Sequence, residues 1–100
     1  MKIWIDDLRP APEGYHHCMS VDFAKHFILV AEKNNLPIEL IDIDHDAGFY
    51  AQFGGDYIRL LDWLEETGRD YPIRIHSANV VGIQNMRRII ERNGWKEIKQ

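Results

Sequence analysis

Ile38-Glu-Leu-Ile-Asp-Ile-Asp-His-Asp-Ala-Gly48 is an apolar run that ends abruptly in three ionisable residues and a glycine. Leu40, Ile41 and Ile43 are residues that a sheet core accepts, and Gly48 is free to take the positive φ of a turn. The stretch therefore reads as a central strand that ends in a site. Asp44, His45 and Asp46 fall where the strand gives out. Crowding two carboxylates and an imidazole costs electrostatic energy unless a cation, a proton or a hydrogen-bond partner offsets it. Asp42 either shares a strand face with Asp44 or lies at the inner edge of the site.

Working outward, Lys2–Ile5 repeats the pattern: a short run of strand formers cut off by Asp6 and Asp7. Residues 8–14 carry two prolines and a closing glycine, which marks an irregular loop. Tyr15–Met19 reads as a weak edge strand. Ser20 is a good N-cap for a helix with Val21, Ala24, Phe27, Ile28 and Ala31 at helical spacing, closed by Asn34, Asn35 and Pro37. Beyond the central strand, residues 47–55 mix glycines with Phe49, Tyr50 and Phe53, as a flap would. Asp56 is expected to cap a second helix carrying Tyr57, Ile58, Leu61 and Leu64, ended by Thr67 and Gly68. Pro72–Ile75 is a short strand that runs into His76-Ser-Ala-Asn79. Ile83, Met86 and Ile90 mark a last helix ending at Asn93-Gly94, and Trp95–Ile98 is read as a final short strand.

Strands separated by helices of this length favour right-handed crossovers and a parallel sheet. The fold expected is α/β: a single domain over residues 1–100, a three-layer sandwich with a mainly parallel sheet of four to five strands and three helices. Ligands bind outside the carboxyl ends of such strands. Asp6-Asp7, Asp44-His45-Asp46 and His76-Ser77-Asn79 each follow a strand, so the sequence brings them to one edge.

At 100 residues one core suffices, and 45% hydrophobic against 28% charged residues excludes a disordered chain. A net charge of −4 argues against duplex DNA but leaves room for a small nucleotide held through a metal. The one cysteine, Cys18, can form neither an internal disulfide nor a cysteine-based zinc site, which suits a reducing cytoplasm. No stretch approaches a membrane span or a signal peptide. A cytoplasmic location without a membrane anchor is the expectation, and oligomeric state is left open.

Asp6, Asp7, Asp44 and Asp46 offer hard oxygen ligands, which suit Mg²⁺ or Mn²⁺. The same acids also occur as plain strand-end caps. His45 and His76 are candidate general acid and base, because imidazole titrates near neutral pH; metal ligation or the orienting of an aspartate are the other roles open to them. Ser77 and Asn79 lie where a strand end meets a helix start, a place for phosphate, and Arg9 can reach the same anion or pair with an acid. His16, His17 and His26 carry no functional expectation.

Residues 6–14, Asp44-His-Asp46 and His76-Ser-Ala-Asn79 together resemble the cyclic-phosphate processing receiver domains, a branch of the response-regulator receiver fold. The likeness spans nearly the whole chain. It implies that Asp6, Asp7 and Asp44 form the metal and phosphoacceptor pocket, and that Ser77 stands where receivers carry Ser or Thr. It also implies a role in processing cyclic phosphates of nucleotides or RNA ends. The departures are the added His45 and His76, Val80 in place of an expected proline, and the lack of a lysine clearly placed after a fifth strand. Two functions follow. The first is a metal-assisted phosphoesterase, with His45, His76 and Asp44 catalytic, Arg9, Ser77 and Asn79 on the phosphate, and Asp6, Asp7, Asp44 and Asp46 on the metal. The second is a non-enzymatic signalling or nucleotide-binding module phosphorylated on Asp44, for which acetyl phosphate is the discriminating reagent.

Overall fold

The computed structural model describes residues 1–99. Four strands, β1 (Lys2–Ile5), β2 (Tyr15–Cys18), β3 (Leu40–Ile43) and β4 (Ile73–Ile75), form one parallel sheet in the order β2-β1-β3-β4. Three helices accompany them: α1 (Val21–Lys33), α2 (Ile58–Glu66) and α3 (Val80–Asn93). The α/β class and the parallel sheet are as expected, β3 is an inner strand and β2 an edge strand. No helix among the described residues is long and apolar enough to cross a membrane.

Both helical crossovers, β2 to β3 and β3 to β4, step the same way across the sheet. Right-handed crossovers in one direction leave their helices on one face. In agreement, α2 packs against both α1 and α3. The core joins the inward residues of the strands, Ile3, Ile5, Cys18, Ile41, Ile43 and Ile73, to Ala24, Ile28, Leu61, Leu64, Met86 and Ile90 of the helices. Each of the isoleucine, leucine and methionine side chains among them contributes about 1.5–3 kcal/mol when fully buried. Sequence reasoning expects helices on both faces; here they form a single layer, because the β1–β2 connection is a proline-bearing loop with no helix. The opposite face carries Trp4, Asp42 and Arg74 side by side across three strands. Residues 8–14 fold along it, and Trp4 Nε1 donates to the Arg9 carbonyl at 3.0 Å.

Ser20 caps α1 as read, its hydroxyl accepting from the Phe23 N–H at 3.1 Å, and Asn79 and Gly94 bound α3. Three expectations change. Asp56 does not cap α2: the helix begins after Tyr57, and Asp56 instead accepts the Ala47 N–H at 3.0 Å, closing the preceding loop. That loop contains a 3-10 helix (Gly48–Gln52), and the Phe53 carbonyl that follows accepts from Asp22 N–H of α1, so the segment is tied down at both ends. Residues 95–98 make a single bridge, Ile73 to Glu97, and no fifth strand, because only Ile73 offers them both its N–H and its carbonyl.

Candidate active site

Strands β1 and β3 are parallel neighbours in register, with Ile5 beside Ile43, so the residues after each emerge together. The Asp44 N–H donates to the Ile5 carbonyl at 2.9 Å and holds the two ends side by side. One carboxylate oxygen from each of Asp6, Asp7 and Asp44 lies within 4.8 Å of the others. Asp6 is buried, whereas Asp7 and Asp44 are partly open to solvent. Asp6 Oδ1 accepts the N–H groups of Leu8 (2.8 Å) and Arg9 (2.9 Å), which curls the chain back as it leaves the strand. Burial pushes the Asp6 carboxyl up, but these N–H groups and His76 outweigh it and hold it below the usual carboxylate range.

Tyr57, fully buried, has its phenol pushed up by burial and then by the charges of Asp7, Asp6 and Asp44; it stays neutral and donates to the Met19 carbonyl at 2.7 Å. Gly48 completes the wall. Its φ is +54°, a region that favours glycine, and a Cβ there would fall 2.4 Å from Asp7 Oδ2, so any other residue would have to displace that carboxylate. Three close carboxylates, open on one side and made only of hard oxygens, fit Mg²⁺ or Mn²⁺. Asp46 stands apart from this trio.

His76 leaves β4 and lies flat on Trp4, ring centroids 3.7 Å apart and planes 6° from parallel. Its Nδ1 is 2.6 Å from Asp42 Oδ1 and its Nε2 2.9 Å from Asp6 Oδ2. Ionised carboxylates only accept, so both contacts are satisfied when both ring nitrogens carry hydrogen. His76 is thus a clamp between two buried acids, with neither nitrogen left over for a ligand. Asp42 also faces Arg74, whose Nη1 is 4.0 Å away.

His45 is held differently. Its Nδ1 is 2.8 Å from Asp46 Oδ1, while the Asn79 amide nitrogen is 3.5 Å from the same Nδ1, so the shorter contact assigns Nδ1 as a donor to Asp46. His45, countered in part by burial, holds the Asp46 carboxyl below its usual range, and the Asn79 amide adds to the effect. Among the described residues Nε2 has no partner. The ring rests on the first turn of α3, where a Cβ on Gly82 would lie 2.5 Å from His45 Cγ and 2.6 Å from Cδ2.

Beside it, Ser77 Oγ accepts from Asn79 N–H (3.1 Å) and Asn79 Oδ1 from Gly82 N–H (2.9 Å). The N–H groups of Ala78, Val80 and Val81 have no protein acceptor among the described residues and remain for an anion or water. Arg9 spends its backbone on Asp6 and Trp4 and leaves its exposed guanidinium without a partner among the described residues.

The edge therefore gathers Asp6, Asp7, Asp44 and His76 into one cluster and His45, Asp46, Ser77 and Asn79 into another, joined through the Asp44–His45 peptide, where Asp44 Oδ1 accepts the His45 N–H at 2.7 Å. Asp42 lies at the inner edge of the site, one of the two placements its position allows, whereas Trp4, His17 and Gly82 were not singled out by residue type. Strand parity is the signal for Trp4 and Asp42, since it puts Trp4 on the face of Asp6 and Asp42 on that of Asp44. His17 and Gly82 have no such local signal. His17 Nε2 lies 2.7 Å from the Asp6 carbonyl oxygen, a contact that strand pairing creates.

No match was found among curated proteins or among solved structures. A family model described as the cyclic-phosphate processing receiver domain matches residues 1–92. With a parallel sheet whose carboxyl edge carries acids from two adjacent strands, and with that match over nine-tenths of its length, the chain belongs to the cyclic-phosphate processing receiver domain family.

Proposed function

We propose that this edge is the active site of a metal-assisted phosphoesterase that opens a cyclic phosphate on a nucleotide or an RNA end. The observation that carries the reading is the His45–Asp46 pair, an imidazole with one nitrogen fixed by a carboxylate and the other unengaged, placed directly after an acidic trio. Asp6, Asp7 and Asp44 would hold Mg²⁺ or Mn²⁺, which supplies charge to offset the phosphoryl oxygens. His45 Nε2 takes a proton from water as the water oxygen bonds to phosphorus, and Asp46 stabilises the imidazolium that forms. The ring P–O bond breaks towards the sugar, and the same imidazolium returns its proton to the leaving oxygen. The product is a phosphomonoester.

The unpaired N–H groups at the start of α3, with Arg9, Ser77 and Asn79, receive the phosphate. His76 keeps Asp6 in place. Of the two histidines, this assigns proton transfer to His45.

A screen of 2′,3′-cyclic, 3′,5′-cyclic and cyclic dinucleotide phosphates, with and without each metal, tests the reading by release of a phosphomonoester. Folded protein that turns over none of them under any condition overturns it. The cation is tested separately by calorimetry with Mg²⁺ and Mn²⁺. Asp7→Asn and Asp44→Asn are each expected to weaken binding by at least about tenfold, since each removes a charged ligand from a site with three. Binding left unchanged in both variants removes these residues from the role.

A further inference from the structure

We propose that the groove between β2, the start of α1 and the 3-10 helix receives the nucleobase of the ligand whose phosphate lies at the acidic edge, holding it by stacking. This rests on the reading of the edge as a cyclic-phosphate site. The groove is a cavity of about 280 Å³ lined by His17, Met19, Ser20, Phe23 and Tyr50. That is just below the roughly 300–1,000 Å³ of clefts for drug-sized ligands, a size for one planar ring system. Its apolar side chains are left in water, with Phe23 50% and Met19 40% exposed. Exposed apolar surface gathered around a concavity marks a binding place rather than ordinary surface scatter.

Two walls of the groove are tied to the acidic trio. His17 contacts the Asp6 carbonyl through Nε2 at 2.7 Å, and Tyr50 stands two residues after Gly48, whose backbone lies against Asp7. A phosphate held between the trio and the start of α3 and a ring in the groove would then be the two ends of one ligand. The groove lining has no carboxylate, lysine or arginine, so a neutral ring suits it better than a charged group. The Ser20 hydroxyl accepts from Phe23 N–H and the Met19 carbonyl from the Tyr57 hydroxyl, so part of the polar lining is already engaged. Stacking tolerates any base, because every base has a π-face, so purines and pyrimidines should both bind. Phe49 and Phe53 pack edge-on with each other, and Phe49 also packs edge-on with Tyr50, so these rings form a rim beside Tyr50 and not a parallel platform.

The test uses nucleosides without phosphate, so that it does not depend on turnover. Adenosine and uridine, titrated into the full chain and followed by amide NMR, should shift signals at Met19, Phe23 and Tyr50. Phe23→Ala and Tyr50→Ala should each weaken adenosine on the order of tenfold, with thermal melts confirming the fold. Phe23 is half exposed, so its variant keeps the test valid if Tyr50→Ala is unstable. No shift in the groove, or variants that bind adenosine like the wild type, overturns the proposal. So does a dimer that Phe23→Ala dissolves while adenosine fails to bind, since a second copy is then the occupant. Adenosine binding in the groove without turnover of any cyclic phosphate would sink the phosphoesterase and leave the base site standing; turnover with no nucleoside contact would do the reverse.

Discussion

His45→Ala is expected to lower turnover of a cyclic phosphate on the order of 10²–10⁴-fold while changing substrate affinity little, the signature of a group that acts in proton transfer. Asp46→Asn should cost about 10–100-fold, because it releases the ring nitrogen opposite the reacting one without removing the imidazole. His76→Ala should behave otherwise. It strips the partner from Asp6 and Asp42, which are 1% and 3% exposed, and loss of one member of a buried pair costs about 3–5 kcal/mol. The melting temperature should therefore fall along with activity. Should His45→Ala keep full rate on a confirmed substrate, or should His76→Ala lose only rate with its stability unchanged, the division of roles between the two histidines fails.

Gly82→Ala is expected to lose turnover on the order of 10²-fold in a protein that remains folded. Gly82 lies in the first turn of α3 at an ordinary helical φ, so the methyl brings no backbone strain, although it would also come within 3.0 Å of the capping Asn79 Cγ. Here the new methyl would meet His45 Cγ at 2.5 Å and Cδ2 at 2.6 Å, so the ring must turn away and give up its bond to Asp46. A displacement near 1 Å at a reacting group is enough for a loss of that size. The readouts separate cleanly: a melting temperature close to the wild type, a fallen rate, and an altered NMR signal for the His45 Nδ1 proton. A variant with wild-type rate and an unchanged His45 signal would show that the helix shifts instead of the ring, and would remove Gly82 as the residue that positions His45.

Most of the fold was legible because its signals are local. The Ser20 cap of α1, the Thr67-Gly68 end of α2 and the apolar runs of β1, β3 and β4 all lie within a few residues of what they specify. Asp56 misled because Tyr57 enters the core beside it, and a side chain drawn inward by packing overrides capping preference. The helices share one face because both helical crossovers step the same way, and that direction depends on strand order, which no single stretch carries.

The amino-acid sequence by itself determined that acids end the first and central strands, that a histidine and a capped helix follow the last, and that parallel strands carry these to one edge. Those properties belong to single strands and their ends. Only the tertiary structure decided which histidine is engaged and which is left with an unpartnered nitrogen. The His76 contact with Asp6 spans 70 residues and depends on β1 and β4 flanking β3 and on the face that the helices leave open. Likewise the His45 ring is set by a glycine on α3, and the groove exists because β2, α1 and the 3-10 helix meet. Side-chain partners across an edge follow from strand order and helix placement, and neither is encoded in any one stretch of chain.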